Sequence, residues 1–401
     1  MTRPSNLWLR WGWIGKNYYI KMLKKCFRYR LNLKARTEQK LNQIISEYCW
    51  LYNHFLQIRR ERDQNKQKQP TKNEQEKLLI ELKEQRPQLK LIFSQTLQNV
   101  ANRINETWKN YRQHKRINLK AGYPRFKPLN KYNSFTYKQF GFKLVGDKLI
   151  LSCGREKEKL ILNVRLHREL EGKVKTLSIV RKNGKWYVCF VSEVEKKLLP
   201  KTDMKVGVDL ELIDFCSLNN GKKYPNPHIY KKGSKKLIEA QQRVDRKEKE
   251  SQNQKKARLL LAKKWEKLTN QAKHYSYQIT NELVKNHDYI GMEDLKAKKM
   301  IENKEKIWKS VRKSIQQVRW SITQNIIARK VEETGGQLVK VNPAYTSQTC
   351  SFCDEPAKEK VELSQRVYEC WNCETKLDRD VNSARNILKL AEPRFGASLR
   401  T

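Results

Sequence analysis

Apolar residues recur at helical spacing over the first third of the chain. From Thr37 onward they follow intervals of three and four, as in Leu41, Ile45 and Tyr48. This period of about 3.6 residues predicts amphipathic helices that bury one face. Residues 37–120 are therefore interpreted as one helical unit, with helices predicted from Thr37 to the arginines near residue 60, over 74–85 and over 89–118, and a polar connector over 63–73.

The apolar period changes from 3.6 to 2 near residue 121, which predicts strands in place of helices. The pair Asn183-Gly184 is typical of a two-residue turn between the strands of a hairpin. A shorter alternating stretch, residues 25–33, precedes the helices and predicts one more strand. We interpret residues 121–195 as a β unit, a small barrel, whose strands fall within 134–152, 158–166 and 174–195.

Helical and strand patterns are mixed after Pro200, which predicts an α/β domain. A hairpin over 206–224, with its turn at Asn220-Gly221, is followed by a long helix, a strand near residue 290, more helix and a module rich in cysteine. Residues 231–264 of the long helix hold 13 Lys and Arg against 4 Asp and Glu. This excess favours a helix that faces phosphates over a merely solvated one.

The net charge limits the possible binding partners of this chain more strongly than any single motif does. The 401 residues include 86 Lys and Arg against 42 Asp and Glu, a formal net charge of +44. The 10 Trp, 17 Tyr and 11 Phe exclude a disordered polycation, so a folded protein that binds a polyanion, nucleic acid, is predicted. No apolar run approaches the roughly 18 residues of a membrane span, so no membrane partner is expected. Residues 1–21 lack the apolar core of a signal peptide and are interpreted as an N-terminal extension.

The nine cysteines predict a metal site and not a disulfide framework. Five stand alone, and the other four form Cys350-Ser-Phe-Cys353 and Cys370-Trp-Asn-Cys373, with 16 residues between the pairs. This spacing is typical of a zinc ribbon in which four thiolates hold the ion. Because four protein ligands leave no open position, one structural Zn²⁺ is predicted. The pattern also indicates a reducing compartment, and we expect a cytoplasmic protein.

Two acidic residues stand at unusual places in this ribbon. Asp354 and Glu374 follow the second cysteine of each pair, where glycine is commonly useful for a close backbone turn. Each adds negative charge beside a tetrathiolate that is already anionic. We therefore expect zinc to be bound more weakly than in a ribbon with glycine at these two positions.

Three acidic residues at the ends of predicted elements suggest a second metal site. Asp209 lies in the apolar strand of VGVDLELIDF, Glu293 ends the strand of DYIGMEDL, and Asp380 begins the helix of LDRDVNSARNIL. A carboxylate in a buried strand must be paired or must bind a cation. Two Mg²⁺ ions on oxygen ligands would allow phosphodiester hydrolysis without a nucleophilic serine or cysteine. Taken alone, Asp378 or Asp380 also fits a helix N-cap, and Glu293 fits a solvated strand end.

The order of these motifs resembles the TnpB family of transposon-associated, RNA-guided nucleases, and the related compact type V CRISPR effectors. The resemblance covers Met22 to about Leu390 and is most specific in AYTSQTCSFC, YECWNC and DRDVNSARNIL. It is supported by GYPRFK, SFTYKQFGFKL, GVDLELIDFCSLNNG and IGMEDL.

The resemblance implies a multidomain α+β fold. Its parts are a helical recognition lobe, a wedge β-barrel and an RNase H-like (RuvC) α/β nuclease domain with an inserted four-cysteine zinc ribbon. The implied boundaries are 1–21 for the extension, 22–36 for the first barrel strand, 37–120 for the lobe, 121–200 for the barrel, 201–343 and 377–391 for the nuclease domain, 344–376 for the ribbon and 392–401 for the tail.

The resemblance also implies an RNA-guided DNA endonuclease with two catalytic Mg²⁺ ions on Asp209, Glu293 and Asp380. Asp378 is the alternative to Asp380. A guide RNA would pair with double-stranded target DNA next to a short transposon-adjacent motif, while the protein contacts the heteroduplex by its shape. Candidate nucleic-acid contacts are Arg59, Arg60, Arg125, Lys127, Tyr137, Lys255 and Lys256.

Two departures from the family pattern favour a different activity. Glu211 stands where the family usually has the glycine of D-x-G, on the same side of the strand as Asp209. There it can crowd the metal, raise the pKa values of nearby groups or simply form a hydrogen bond. In NQAKHYSYQ the family's usual Arg, Asp and His are replaced by Ala272, His274 and Tyr277. The alternative function is an RNA-guided DNA-binding protein or transposon-linked repressor with weak or absent cleavage. DNA strand transfer ranks third, since its recombinase motifs are missing.

Overall fold

The computed structural model describes residues 22–117, 119, 122–154, 158–302, 319–362 and 364–395. The predicted extension 1–21 and residues 396–401 of the predicted tail lie outside this part of the chain. The described helices are α1 (Ala35–Gln64), α2 (Lys72–Gln85), α3 (Ser94–Arg116), α4 (Ile229–Asp245), α5 (Gln252–Asn286), α6 (Ala297–Glu302), α7 (Trp320–Thr334) and α8 (Arg379–Ala391). None of them combines the length and apolar character that crossing a membrane requires.

The strands form two large sheets and one short hairpin. The strands of the first sheet are β1 (Met22–Asn32), β2 (Ser134–Lys138), β3 (Phe142–Val145), β4 (Lys148–Ser152), β5 (Lys159–Arg165), β6 (Lys173–Lys182) and β7 (Lys185–Glu195). Those of the second sheet are β8 (Lys205–Leu210), β9 (Asp214–Leu218), β10 (Lys223–Pro225), β11 (Tyr289–Glu293) and β12 (Gln337–Val341). The hairpin consists of β13 (Val367–Glu369) and β14 (Lys376–Asp378).

The first sheet has seven antiparallel strands in the order β2-β6-β7-β1-β5-β4-β3. In β1 the alternate residues Phe27, Tyr29 and Leu31 are buried, so the N-terminal strand fits the centre of the sheet. The predicted turn between β6 and β7 is confirmed, because Asn183 and Gly184 both have positive φ, 51° and 71°. This geometry matches the right-handed twist of the flanking strands.

The helices α1–α3 and this sheet share a single hydrophobic core. Tyr48 of α1 stacks on Phe135 of β2 with ring centroids 5.1 Å apart. Among the described strands no ladder joins the sheet edges β2 and β3, so the closed barrel stays a prediction. One side chain nevertheless links the two ends of the sheet. Tyr137 Oη of the edge strand β2 donates to the Ser152 carbonyl of β4 at 3.0 Å.

The second sheet has the order β10-β9-β8-β11-β12. Strands β8, β9 and β10 form an antiparallel meander, whereas β11 runs parallel to β8 and β12 parallel to β11. The predicted turn at Asn220-Gly221 is confirmed between β9 and β10. The stretch 206–224 nevertheless holds three strands and not one hairpin, since an additional turn over 211–213 separates β8 from β9. The prediction of a single long helix is also wrong, because this stretch divides into α4 and α5. Ser251 is the N-cap of α5, and its side chain accepts a hydrogen bond from the backbone N–H of Gln254 at 3.1 Å.

Two glycines allow α8 to lie directly on this sheet. Gly207 of β8 and Gly291 of β11 are neighbours in register. A Cβ at Gly207 would lie 2.0 Å from the Ala384 carbonyl oxygen, and one at Gly291 would lie 2.8 Å from Ala391 Cβ. Only residues without a side chain permit this approach. It brings the first turn of α8 to the end of β8.

Replacing Gly207 by alanine is expected to destabilise the second sheet and its helix α8. The new methyl group would meet a backbone carbonyl, which cannot rotate away as a flexible side chain can. The expected loss is at the upper end of the roughly 1–3 kcal/mol found for overpacked cores. Thermal and urea unfolding would measure it. Gly122→Ala is the matched control, because nothing lies within 4 Å of its Cβ position. Equal stability of the two variants would contradict the prediction.

Candidate active site and metal centres

Two acidic residues meet at one edge of the second sheet. The parallel strands β8 and β11 pair Val208 with Met292, which places the next residues, Asp209 and Glu293, side by side at the carboxyl ends of the strands. In open α/β sheets this edge is where ligands bind. Helix α8 then brings Asp380 to the same edge as the second residue of the helix. All three carboxylate residues are less than one-tenth exposed.

The carboxylates that come together differ in one member from the predicted set. Oxygen atoms of Asp209, Glu211 and Asp380 lie within 4.8 Å of one another, and we call these three residues the carboxylate cluster. Within the described part of the chain, Glu293 is not a member of that group. Its Oε1 accepts a hydrogen bond from Thr346 Oγ1 at 2.6 Å. The sequence had indicated Glu211 only as a residue that could crowd the site.

The two aspartates at the start of α8 have different positions. Asp378 Oδ1 accepts the backbone N–H groups of Asp380 at 3.0 Å and Val381 at 3.2 Å, so Asp378 is the N-cap. Its other oxygen pairs with Lys223 Nζ at 2.7 Å. The structure thus places Asp380 in the carboxylate cluster and uses Asp378 to begin the helix.

Burial and mutual repulsion disturb the ionisation of the cluster. Burial, followed by the charges of Glu293 and Asp380, raises the pKa of Asp209 to about 8. Burial and the adjacent carboxylate of Asp380 raise the pKa of Glu211 to about 9. The neighbouring Glu211 and the guanidinium of Arg379 hold the pKa of Asp380 below its usual value, although burial opposes them. The raised pKa values of Asp209 and Glu211 favour their protonated forms near neutral pH, and a bound cation would favour their ionised forms.

Three basic side chains that the sequence did not indicate lie against the cluster. Arg366 Nη2 donates to Asp380 Oδ2 and lies 3.5 Å from Glu211 Oε2. Arg379 Nη2 donates to Asp380 Oδ1 at 2.8 Å, and Lys223 Nζ lies 3.9 Å from Asp380 Oδ2. Arg379 lies within the DRD motif next to Asp380, and this position in the sequence could have indicated that it lies at the cluster. Arg366 lies between the two cysteine pairs, and no spacing connects it to the cluster.

The four cysteines of the C-x-x-C pairs form a group of thiols, with their sulfur atoms within 4.8 Å of one another. The Sγ atoms of Cys350 and Cys373 are 3.6 Å apart, and those of Cys353 and Cys370 are 3.5 Å apart. Four thiolates around a tetrahedral Zn²⁺, with Zn–S bonds near 2.3 Å, have sulfurs about 3.8 Å apart. A disulfide would require about 2.05 Å. The group therefore fits a metal ion held by four sulfurs.

The thiol group is attached to the carboxylate cluster through α8. Ser351 N–H donates to Asn382 Oδ1 at 2.8 Å, and Asn382 Nδ2 donates to the Thr349 carbonyl at 2.8 Å. Asn386 Nδ2 binds the carbonyls of Thr346 and Thr349, and Thr346 in turn holds Glu293. The cysteine module and the acidic residues thus share one hydrogen-bond network.

Asp354 and Glu374 adopt the conformation that glycine prefers. Their φ angles are 61° and 57°, in the left-handed region. Each follows the second cysteine of its pair, so both turns have the same geometry. A non-glycine residue in this region costs roughly 1–3 kcal/mol. Backbone strain therefore adds to the charge that the sequence already indicated at these positions.

Glycine at either position is expected to tighten metal binding by the thiol group. Relief of about 1 kcal/mol of strain corresponds to a roughly fivefold lower Kd for zinc in Asp354→Gly or Glu374→Gly. Asp354→Asn separates the effect of backbone strain from the effect of negative charge, because asparagine tolerates positive φ but has no charge. The loss of the exposed ion pair between Asp354 and Lys389 should matter little. Competition with a chelator measures Kd, and equal affinity of all variants would contradict both causes.

Two family models match different parts of the chain. The model described as "Cas12f1-like, TNB domain" matches residues 320–387, which contain the four cysteines and Asp380. The model described as "Probable transposase" matches residues 189–304, which contain Asp209 and Glu293. Together the two models include both candidate metal centres.

Curated relatives extend the likeness over nearly the whole chain. "Putative RNA-guided DNA endonuclease InsQ" of Escherichia coli (strain K12) is 28% identical over 384 residues, 91% of this chain and 91% of its own length. "TnpB-like protein L79" of Acanthamoeba polyphaga mimivirus is 28% identical over 220 residues, 51% of this chain and 41% of its own length. These matches make the chain similar to the TnpB family.

The fold of this chain resembles that of a compact type V effector. The Cas12f1 protein of a solved Cas12f1–sgRNA–target DNA complex matches with a TM-score of 0.55 and 14% identity, over 91% of this chain and 98% of that protein. Identity at this level shows a likeness of fold alone. The predicted multidomain mixture of helices and sheets is confirmed.

Two of the predicted nucleic-acid contacts are buried. Arg59 is 2% exposed, and its guanidinium donates to Gln75 Oε1 at 2.9 and 3.1 Å. Tyr137 is 5% exposed, and its hydroxyl is bonded to Ser152. The Tyr137 side chain belongs to the core that the helices share with the first sheet, whereas Arg59 lines a cavity between the end of α1 and helix α3. The period-2 and helical patterns predicted their elements but not which face each residue occupies.

The remaining candidates lie at or near the surface. Arg125 is exposed, and the Arg60 guanidinium lies 4.9 Å from the centroid of the exposed ring of Phe126. Lys127 is half-buried, with Nζ 4.1 Å from the centroid of the Tyr52 ring. Lys255 and Lys256 are both exposed on α5. These residues stay predictions as nucleic-acid contacts.

A basic cavity that sequence reasoning missed lies between the end of α1 and helix α3. It has a volume of about 700 Å³, and its lining includes Trp108, Lys109, Arg112 and Arg116. The three basic residues are exposed and spaced three and four apart, so they occupy one face of α3. That spacing was visible in the sequence and is the signal that could have indicated this surface.

The altered segment of the family pattern lies within α5. Tyr277 Oη accepts a hydrogen bond from Arg329 Nη2 of α7 at 3.1 Å, and His274 is exposed. Ala272 is half-buried, and its carbonyl accepts a hydrogen bond from Ser276 at 3.1 Å. The Tyr277–Arg329 contact joins α5 to α7, and neither hydrogen bond involves the carboxylate cluster.

Proposed function

We propose that this chain is an RNA-guided DNA endonuclease that hydrolyses phosphodiester bonds at the carboxylate cluster. The observation that carries the proposal is the meeting of Asp209, Glu211 and Asp380, beside Glu293, at the carboxyl edge of the second sheet. Buried carboxylates are costly unless each oxygen is hydrogen-bonded or binds a cation, and Glu211 Oε2 has no hydrogen-bond partner. The relative named as an RNA-guided DNA endonuclease, and the fold neighbour solved with sgRNA and target DNA, support the same activity.

The order of the second sheet supports a RuvC-like nuclease domain. An antiparallel meander followed by two parallel strands, with α8 on one face, is the arrangement expected of an RNase H-like fold. On this proposal residues 201–343 and 377–391 form the nuclease domain and 344–376 the inserted zinc ribbon. Residues 37–120 form the recognition lobe, and 22–36 with 121–200 form the wedge barrel.

The carboxylate cluster fits divalent magnesium. Its donors are hard oxygens, and Glu211 Oε2 is buried without a hydrogen-bond partner. When bound, two Mg²⁺ ions supply an activated water and neutralise charge on the leaving oxygen. Asp209 and Asp380 would hold the ions, and Thr346 orients Glu293 beside them. Arg366 and Lys223 lie where they can also contact a phosphate.

The four thiolates are proposed to hold one structural Zn²⁺. The surrounding basic surfaces are proposed to bind a guide RNA and double-stranded target DNA. Base pairing with the guide would choose the sequence, and protein contacts would recognise the short transposon-adjacent motif. Since phosphate contacts dominate such binding, affinity should fall steeply with salt.

Sequencing the RNA that co-purifies with the protein tests this proposal most directly. A discrete bound RNA should be found, and replacing its guide segment should redirect Mg²⁺-dependent cleavage to a DNA of matching sequence. Absence of any discrete RNA would contradict RNA guidance. Binding to the matched DNA without a cut would contradict the nuclease activity.

That last outcome is the alternative function, a guided DNA-binding protein or transposon-linked repressor. One observation favours it: Arg366 and Arg379 occupy hydrogen-bonding positions on Asp380, and Glu211 brings an additional carboxylate to the cluster. If these cations remained in place when nucleic acid is bound, the metal would be excluded. Measuring binding and cleavage on the same guided complex distinguishes the two functions.

Magnesium binding is expected to strengthen as the pH rises toward about 8. Below its raised pKa of about 8, Asp209 is protonated, and a cation must displace that proton. Each proton released makes affinity rise by up to about tenfold per pH unit, and the rise should level off above the pKa. Calorimetric titration with Mg²⁺ in buffers of different ionisation enthalpy counts the released protons. A Kd independent of pH would contradict the expectation.

A further inference from the structure

We infer that Glu211 is a ligand of the divalent cations at the carboxylate cluster. The inference rests on the proposed function, because it concerns the same site. It replaces the sequence-based view that Glu211 merely crowds the metal. It also assigns a chemical role to a residue at which this chain departs from the D-x-G pattern.

The structure holds Glu211 in a fixed orientation. Its backbone N–H donates to the Phe215 carbonyl at 3.4 Å, and its carbonyl accepts the indole N–H of Trp320 at 3.2 Å. Ser217 Oγ, directly opposite Asp209 in the strand register, donates to Glu211 Oε1. Three contacts, two from β9 and one from α7, fix the residue, as expected for a ligand that must be pre-organised.

The other carboxylate oxygen of Glu211 lacks a hydrogen bond. Glu211 is 8% exposed, and Oε2 is a buried atom without a hydrogen-bond partner. A buried oxygen without a hydrogen bond is destabilising, and Arg366 Nη2 approaches this one only to 3.5 Å, beyond the usual range of a hydrogen bond. A cation shared with Asp209 and Asp380, whose oxygens lie within 4.8 Å, would satisfy it.

Glu293 alone does not complete the set of carboxylates that Asp209 and Asp380 begin. Thr346 donates to Glu293 Oε1 at 2.6 Å and directs that oxygen toward the cysteine module. Glu211 occupies the place in the group that the sequence assigned to Glu293. With Glu211 included, the site offers four carboxylates, and a higher charge count raises affinity for divalent cations.

Arg366 does not prevent this role. Its guanidinium lies 3.5 Å from Glu211 Oε2 and also bonds Asp380, so it neutralises the two carboxylates in the described conformation. The Arg366 side chain is about one-third exposed, whereas those of Glu211 and Asp380 are 7% and 3% exposed. The arginine can therefore move into solvent, while the carboxylates must stay.

Titration of the full-length, zinc-loaded protein with Mn²⁺ alone tests the inference, with free Mn²⁺ followed by electron paramagnetic resonance. Glu211→Gln is expected to weaken Mn²⁺ binding at least tenfold, since even outer residues of metal sites cost about 10–100-fold. Ser217→Ala, which frees Oε1, should weaken binding by a smaller factor. Asp214→Asn is the matched control: it removes the same charge from the same sheet but lies outside the cluster.

The outcomes separate the inference from the proposed function. If Asp209→Asn loses Mn²⁺ while Glu211→Gln binds it as the wild type does, or more tightly, the inference is overturned and the metal site remains. If Asp209→Asn and the wild type bind Mn²⁺ equally, the metal site itself is wrong and both proposals fail. Glu211→Asp, which keeps the charge but withdraws the oxygens, should also lose affinity. It provides the test if Glu211→Gln does not fold.

Discussion

Replacing Asp209 by asparagine is expected to abolish guided DNA cleavage while RNA and DNA binding persist. Asparagine keeps the shape of the side chain but removes the charge that would hold a divalent cation. Loss of one oxyanion-hole donor already costs about 10²–10³ in rate, and loss of a metal-binding carboxylate should cost at least as much. The phosphate contacts that dominate binding lie on other surfaces, so affinity for nucleic acid should not change.

The substitution should not harm the fold. Asp209 is buried beside Glu293 and Asp380, and the raised pKa of Asp209 indicates that its ionised form is unfavourable without a cation. A neutral amide removes that repulsion, so the melting temperature should be unchanged or higher. Asp214→Asn should cleave like the wild type. Cleavage by Asp209→Asn at the wild-type rate would place the chemistry elsewhere.

Replacing Cys370 by serine is expected to cause the second large loss. Structural zinc contributes about 10–16 kcal/mol of binding free energy, and small metal modules usually unfold without it. Cys370 is 4% exposed and paired with Cys353, so a hydroxyl in its place should release the ion. The cysteine module should then lose its order, and cleavage should fall with it.

The effect on cleavage follows from two contacts. Ser351 in the cysteine module binds Asn382 of α8, and Arg366 between the two cysteine pairs binds Asp380. Metal analysis, hydrogen exchange over residues 344–378 and cleavage assays would measure the three losses together. Cys26→Ser, which changes an exposed thiol outside the module, is the control. Full cleavage by Cys370→Ser without bound metal would show that the module does not support the active site.

Local patterns predicted the parts of this protein that depend on short spacings. Two residues between the cysteines of each pair suffice to form a turn that presents both sulfurs, so the thiol group was predictable. The same holds for the Asn183-Gly184 turn, which needs positive φ at adjacent residues. The long helix was not predictable from its charge, because the N-cap Ser251 interrupts a run that remains polar throughout.

Side-chain direction limited the prediction of the nucleic-acid surface. Arg59 and Tyr137 belong to elements that the sequence predicted, yet both are buried. A basic or aromatic residue gives the same sequence pattern whether its side chain stacks on a base or fills a core. Only the packing of α1 and α2 on each other, and of β2 on the helices, distinguishes the two.

The sequence alone determined the likeness to the TnpB family, the four cysteines of the thiol group and the acidic residues at the ends of β8, β11 and α8. Tertiary structure alone decided which of these carboxylates meet: Gly207 and Gly291 let α8 approach the sheet, Thr346 holds Glu293, and Glu211 joins Asp209 and Asp380. The physical reason is distance. Cysteine ligands in each pair are three residues apart, whereas the cluster joins residues more than 160 positions apart, and only the packing of helix on sheet brings them together.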